Sequence, residues 1–529
     1  MAPVISSISA CAVCGIPATL KCAGCKNIVY CGKDHQKIHW RKGHKAMCKC
    51  IELKTDEIMG RMLCATRDIK QGEVIFTEKP LVIGPKLNCH PMCLGCHRFL
   101  TLKPKERNFY KCSRCNWPLC GPDCEKSQLH VPECNLMAYR NFKAQIDAQV
   151  GLEPKKEAAY CTIVPLRCCL LRSSDPGSFQ RLMDLQSHLE KRIETPLYRV
   201  LKANLVTFIK TILNLDFDEE TILKIAAVLD TNAFEIRHQH KNIKVRGLYP
   251  MAAMMAHSCV PNTAHTFNED FEFVLIASVD IPKGTPIYTT YGQTLQGTLQ
   301  RREHLRQNKF FECFCERCGD PTELSTFAGS FICSKCRSGK MIPMNPFEVA
   351  APWKCSTCEN SIPALQVING NRAMLKEISE LDQTNPKEFE AFILKYRDTL
   401  HGTNTHMLQV KYALIQLYGN IPGFHMSQLN DAALIRKVDL CRELLEVANE
   451  LEPGYSFFRG YLLMDLQAVL AIQAKRDFDS KVIDREETLK RLTEAQDLLK
   501  EGVLILGLDP SLKDFISEKT RELNQIMQF

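Results

Sequence analysis

No apolar run in this chain of 529 residues approaches the ~18 residues that span a bilayer, so a transmembrane helix is not expected. The N-terminus, MAPVISSISACAVCG, lacks a basic region followed by an apolar one, so a secretory leader is not expected either. Long blocks of like charge are missing. The net charge of +8 is spread along the chain, and a solvated surface explains it more simply than nucleic-acid or acidic partners do. No base-reading helix stands out, so sequence-specific DNA binding is not expected. The composition is ordinary for globular protein, at 45% hydrophobic and 24% charged, and the length provides several domains with cores of their own.

Cysteine, by contrast, is abundant, with 28 residues. One ladder runs Cys93, Cys96, Cys112, Cys115, Cys120, Cys124, His130, Cys134. A second stands near the N-terminus: Cys11, Cys14, Cys22, Cys25, Cys31, His35, His44, Cys48. A CxxC pair folds a tight knuckle that aims two thiolates at one metal, so eight ordered ligands predict two tetrahedral zincs in each ladder. A third group is Cys313, Cys315 and Cys318, and a fourth is Cys333, Cys336, Cys355 and Cys358. A disulfide framework is the alternative, but the missing leader, the length and the CxxC spacing argue against it. Zinc-binding thiols need a reducing compartment, so cytoplasm and nucleus are expected. Cys50, Cys64, Cys89, Cys161, Cys168, Cys169 and Cys441 read as ordinary buried thiols, and His39 as a packing or surface residue.

Between the ladders, Val74–Phe76 and Leu81–Ile83 are short β-type runs punctuated by Gly72, Pro80, Gly84 and Pro85. Residues 136–230 read mostly helical, and strands and turns return from Ile243 to Tyr291. Beyond residue 362 cysteine nearly vanishes and helical periodicity takes over, as in VDLCRELLEVANEL and GYLLMDLQAVLAIQA. That pattern predicts stacked antiparallel helix pairs, TPR-like in architecture, although no clean repeat of about 34 residues is present.

Four motifs follow one another in order: GRM at 60–62, HSCVPN at 257–262, TTYG at 289–292 and FECFCERC at 311–318. TNAF at 231–234, GLYP at 247–250 and LQSHL at 185–189 accompany them. Over nearly the whole chain this resembles the SMYD family of protein-lysine methyltransferases, in which a MYND zinc finger interrupts a SET domain. The extra N-terminal finger, with His35 at a usual cysteine position, is similar to the arthropod SmydA branch. The resemblance implies an α+β architecture in seven parts. These are a MYND-type finger at 8–50, the SET N-terminal part at 52–88, the inserted finger at 89–135, a helical insert at 136–240, the SET core at 241–300, a post-SET and zinc-ribbon-like segment at 301–361, and TPR-like helices at 362–529.

The resemblance also implies roles. Gly60, Arg61 and Met62 occupy the loop around S-adenosylmethionine; His188, Asn232 and His257 match cofactor contacts, and Phe311 the aromatic on its adenine. Tyr291 matches the catalytic tyrosine, Phe234 lines the lysine channel, and Cys259 joins Cys313, Cys315 and Cys318 at a post-SET zinc. In MYND fingers ligands interleave, which implies Cys11, Cys14, Cys31 and His35 at one metal and Cys22, Cys25, His44 and Cys48 at the other. In all, 21 cysteines and three histidines give 24 ligands, enough for six structural zincs. Each would add on the order of 10 kcal/mol to folding.

Methyl transfer is an in-line displacement that needs alignment, exclusion of water and a neutral lysine amine, which an aromatic channel favours by desolvation. Three positions depart from the family pattern: Met62 replaces the second glycine of GxG, Ala256 the asparagine before HSC, and Lys309 the second channel tyrosine. Two functions follow. One is methylation of histone or non-histone lysines by a monomer, linked to chromatin and transcription regulation. The other is a non-catalytic adaptor whose fingers recruit partner proteins, as in repression.

Overall fold

The computed structural model describes residues 10–23, 28–48, 50–101, 108–146, 157–238 and 243–528. The predicted ligand Cys25 lies outside them. The described chain forms two units: one holds the segments up to Phe76, Met255–Thr266 and Leu275–Phe529, the other Thr77–Met254 and Phe267–Val274. The chain therefore passes between them four times.

In the first unit, the hairpin Ile51–Asp56 with Gly60–Ala65 pairs Asp56 opposite Gly60. Its turn closes because the Asp56 carboxylate accepts the backbone N–H groups of Ile58 (2.8 Å) and Met59 (2.9 Å). Gly60 then takes φ +69°, which a side chain would resist. Leu63 O accepts from Ile287 N–H (2.8 Å), bringing the hairpin to the 256–292 region. There Ala256–His257 runs parallel to Tyr288–Thr289. Asn262 secures that pairing: its amide donates to Pro286 O (2.9 Å) and its carbonyl accepts from Tyr288 N–H (2.7 Å).

Helix Thr298–Lys309 follows, then the cysteine-rich turn at 313–318. The last CxxC pairs sit on a small antiparallel sheet of Phe331–Ile332, Lys340–Pro343, Trp353–Cys355 and Ser361–Ile362, in chain order. Seven α-helices occupy the remainder: Ala364–Glu380, Pro386–Tyr396, Thr405–Leu417, Asp431–Leu451, Phe457–Asp479, Arg485–Leu506 and Lys513–Ile526. Five in succession start on a side-chain cap: Asn385, Asn404, Asn430, Ser456 and Asp484 each accept a first-turn N–H. Neighbouring helices pack through Leu, Val and Ala, and the sheet joins the same core through Phe331, Met341 and Trp353. The helical periodicity of the sequence is thus a helical C-terminal region.

In the second unit, Ile243–Leu248 lies between Val82–Gly84 and Phe234–His238, antiparallel to both. Among its described residues the finger segment 93–134 carries the two-residue strands Tyr110–Lys111 and Pro118–Leu119 and the short helix Pro122–Glu125, and it closes on helix Val131–Tyr139. Helix Ile163–Ser174 packs against that helix, and Pro176–Met183 and Glu219–Asn232 pack against Ile163–Ser174, in agreement with the helical reading of 136–230.

Candidate active site and metal centres

The cysteine ladders fold into clusters whose geometry suits a tetrahedral ion. Cys11, Cys14, Cys31 and His35 gather with every ligand atom within 4.8 Å of the others, and so do four further sets. These are Cys93, Cys96, Cys120 and Cys124; Cys112, Cys115, His130 and Cys134; Cys259, Cys313, Cys315 and Cys318; and Cys333, Cys336, Cys355 and Cys358. Sulfur pairs lie 3.4 Å apart at Cys96–Cys120, 3.5 Å at Cys259–Cys318 and 3.7 Å at Cys336–Cys355. Zn–S bonds of about 2.3 Å in a tetrahedron place sulfurs about 3.7 Å apart, so the donor sets fit zinc. Of the remaining predicted set, Cys22 lies 3.7 Å from Cys48 and 3.2 Å from His44 Nε2, while Cys25 is outside the described residues. His39 stacks on His44 (5.0 Å, 6°) and meets the Tyr30 hydroxyl at 2.9 Å, a packing role as the sequence suggested.

Each cluster is held by its surroundings. Gly339 is required beside Cys355, because a Cβ there would stand 2.2 Å from the sulfur. His130 presents Nε2 to Cys115 at 3.5 Å and Nδ1 towards Glu133 Oε1 at 3.9 Å. Burial pushes the Glu133 carboxyl up, and Arg167 opposes this by bonding it directly while also donating to Leu94 O (3.2 Å) and Ile83 O (2.5 Å). Sequence reasoning missed Glu133 and Arg167. The signal was present in part: Glu133 stands three residues after a ligand histidine, on the same helix face.

Of the residues matched to the transfer site, the first unit carries Gly60, Arg61, Met62, His257, Tyr291 and Phe311. His257, Tyr291 and Phe311 form an aromatic triangle, with ring centroids 5.2, 5.7 and 6.3 Å apart. Tyr291 and Phe311 also pack directly on the Cys259 cluster. The Tyr291 hydroxyl donates to Met255 O at 2.6 Å. Burial pushes this phenol up to about 12, so it stays a neutral hydroxyl at physiological pH. His257 Nδ1 accepts the Tyr291 backbone N–H (3.1 Å). Its other nitrogen then carries the proton and faces Cys259 Sγ at 3.4 Å. The imidazole thereby ties the tyrosine to a sulfur of the Cys259 cluster, a link the sequence motif did not disclose.

Gly60 has open space above it, with nothing within 4 Å of where a Cβ would stand, and Arg61 is exposed. Met62 and Ala256, both departures from the family pattern, are buried against each other with Cys64 and Tyr288. An apolar cluster thus stands where the pattern has glycine and asparagine. Lys309 Nζ lies 5.4 Å from the Tyr291 ring centroid.

The second unit carries His188, Asn232 and Phe234. His188 caps helix Leu189–Arg192 in the left-handed conformation (φ +51°), and its Nδ1 lies 3.2 Å from Gln186 Nε2. Asn232 Nδ2 donates to Gln186 O and Val228 O, both at 2.8 Å, which directs its amide with both donor protons engaged. Phe234 packs in an aromatic group with Phe273 (5.0 Å) and Tyr249 (6.1 Å).

Residues 11–48 match the MYND finger family, and residues 60–292 match the SET domain family. The second ladder, 93–134, lies inside the SET match. The chain is 32% identical over 321 residues to SET domain-containing protein SmydA-8, isoform A, of Drosophila melanogaster, covering 59% of this chain and 65% of that protein. It is 26% identical over 355 residues to histone-lysine N-methyltransferase ASHR1 of Arabidopsis thaliana, covering 64% of this chain and 70% of that one. With N-lysine methyltransferase SMYD2-A of Xenopus laevis it shares 24% identity over 278 residues, covering 50% and 60%. The chain thus spans just under two thirds of the Drosophila relative's length. A MYND finger followed by a SET domain that encloses a second Cys/His ladder gives the chain the build of SET and MYND domain proteins, to which it is similar over about half its length or more.

Proposed function

We propose that this protein is an S-adenosylmethionine-dependent protein-lysine N-methyltransferase. The observation that carries the reading is the Tyr291 hydroxyl, held neutral in an aromatic triangle and aimed by its bond to Met255 O. Relatives named as lysine methyltransferases support it. Bound S-adenosylmethionine would supply an electrophilic methyl on a sulfonium. His257, Tyr291 and Phe311 suit such a cation, because ring faces attract positive charge. Gly60 and Arg61, in the unit that carries Tyr291, would lie along the cofactor.

The proton of Tyr291 is committed to Met255 O, so its oxygen offers only lone pairs to an arriving amine. Tyr291 therefore orients the amine by accepting its N–H. It is too weakly acidic to carry a negative charge as a base, and the substrate ammonium must release its proton to water as it enters the apolar site. The six Cys/His sets, with Cys25 included in one, serve as structural zinc centres. The N-terminal finger serves to recruit partner proteins, and histones are among the candidate substrates.

With labelled S-adenosylmethionine and a panel of lysine-rich proteins, the wild-type chain is expected to transfer label, and Tyr291→Phe to lose at least about 100-fold of the rate. Undiminished transfer by Tyr291→Phe would remove the tyrosine from the mechanism. One observation favours a second reading, a non-catalytic adaptor: the Met62–Ala256 contact replaces a hydrogen-bonding position with apolar packing. On that reading the chain takes up no cofactor while its fingers still capture partners, and calorimetry separates the two.

A further inference from the structure

Helix Thr298–Lys309 stops abruptly. Phe310 caps it in the left-handed conformation (φ +61°, ψ +30°), an arrangement a non-glycine residue keeps only when its neighbours impose it. They do so here from both sides. Upstream, the buried Arg301 on the same helix bonds Glu323 (2.6 Å) and Thr298 (2.9 Å). Downstream, Cys313 belongs to the Cys259 cluster, and Leu305, one turn before the cap, packs in that same cluster. The chain reversal between these anchors delivers Lys309 and Phe311 to Tyr291: the lysine Nζ lies 5.4 Å from the ring centroid and the phenylalanine ring meets it edge-on at 6.3 Å. The Glu312 carboxylate, next along the chain, is taken by Arg302 (2.8 Å) and Arg306 (3.6 Å).

We propose that Lys309 determines specificity as an internal competitor for the substrate lysine, resting its ammonium on the Tyr291 ring where a substrate amine has to arrive. The proposal rests on reading Tyr291 as the methyl-transfer centre. A second cation entering the cluster meets like-charge repulsion and finds the aromatic face already engaged. A lysine side chain alone is therefore a poor ligand. A substrate binds only when contacts elsewhere along its chain supply what is needed to displace Lys309, and discrimination between proteins follows from those contacts. A lysine at a helix C-terminus also suits the helix dipole, which accounts for its place at the helix end but not for the approach to the ring.

The test is calorimetric titration of the full chain with Nα-acetyl-lysine methylamide, using wild type, Lys309→Met, Lys309→Gln and Lys309→Arg, each confirmed folded by its thermal transition. Lys309→Met and Lys309→Gln are expected to bind the probe at least tenfold more tightly than wild type, and Lys309→Arg no more tightly. Equal affinity in all four, or binding by none, overturns the proposal. Methyl transfer measured in parallel keeps the two readings apart. Tighter probe binding without transfer to any protein upholds the competitor and removes the enzyme, whereas active transfer with unchanged probe affinity does the reverse.

Discussion

His257 uses both ring nitrogens inside the protein, one on the Tyr291 backbone and one on the Cys259 sulfur. A histidine in HSCVPN reads naturally as a ligand contact, and nothing in the linear sequence shows that its imidazole spans from Tyr291 to a thiolate. Replacing it with leucine leaves a buried N–H and a thiolate each short of a partner, a loss of about 1–3 kcal/mol. Because the thiolate belongs to a metal set, His257→Leu is also expected to weaken zinc retention by about 10–100-fold. Thermal unfolding and zinc release to a chelator measure both; unchanged values would show that the imidazole is a bystander. Met62 and Ala256 teach the same lesson. Each looked like a separate erosion because they stand about two hundred residues apart, and only the fold shows them as one contact.

The elements were legible where their signal is local. CxxC spacing announced the metal clusters because a knuckle is built from neighbouring residues, and leucine periodicity announced the C-terminal helices for the same reason. The supports were not legible. Arg167, the arginine beneath the second finger, reads in sequence as one more residue of an apolar helix. Within the helical region His406 is buried in helix Thr405–Leu417, with Nε2 at 2.9 Å from Asn371 Oδ1. Burial lowers its pKa to about 4, below the ordinary 6.5 of an unfolded histidine. The folded state therefore binds fewer protons than the unfolded one between those values. Stability is full above pH ~6.5 and falls as pH drops towards ~4, by roughly 3 kcal/mol at most from this residue. Urea midpoints at pH 7 and pH 5 should differ accordingly, and His406→Gln should narrow the difference. An unchanged difference would assign the acid sensitivity to other groups.

At the scale of the whole molecule, a Cys cluster suited to zinc and the proposed transfer site share residues. Cys259 belongs to a zinc-type cluster and to the motif that carries His257, and Tyr291 and Phe311 pack on that cluster. A metal held by that cluster would steady the tyrosine in the first unit, while His188, Asn232 and Phe234 belong to the second. Whether His257, Tyr291 and Phe311 take up S-adenosylmethionine despite the apolar Met62–Ala256 contact decides between the enzyme and the adaptor. Calorimetric titration of the zinc-loaded full chain with S-adenosylmethionine tests it most directly. Saturable binding of one cofactor per chain, weakened by Phe311→Ala, is expected, whereas no binding at millimolar cofactor would leave only the adaptor.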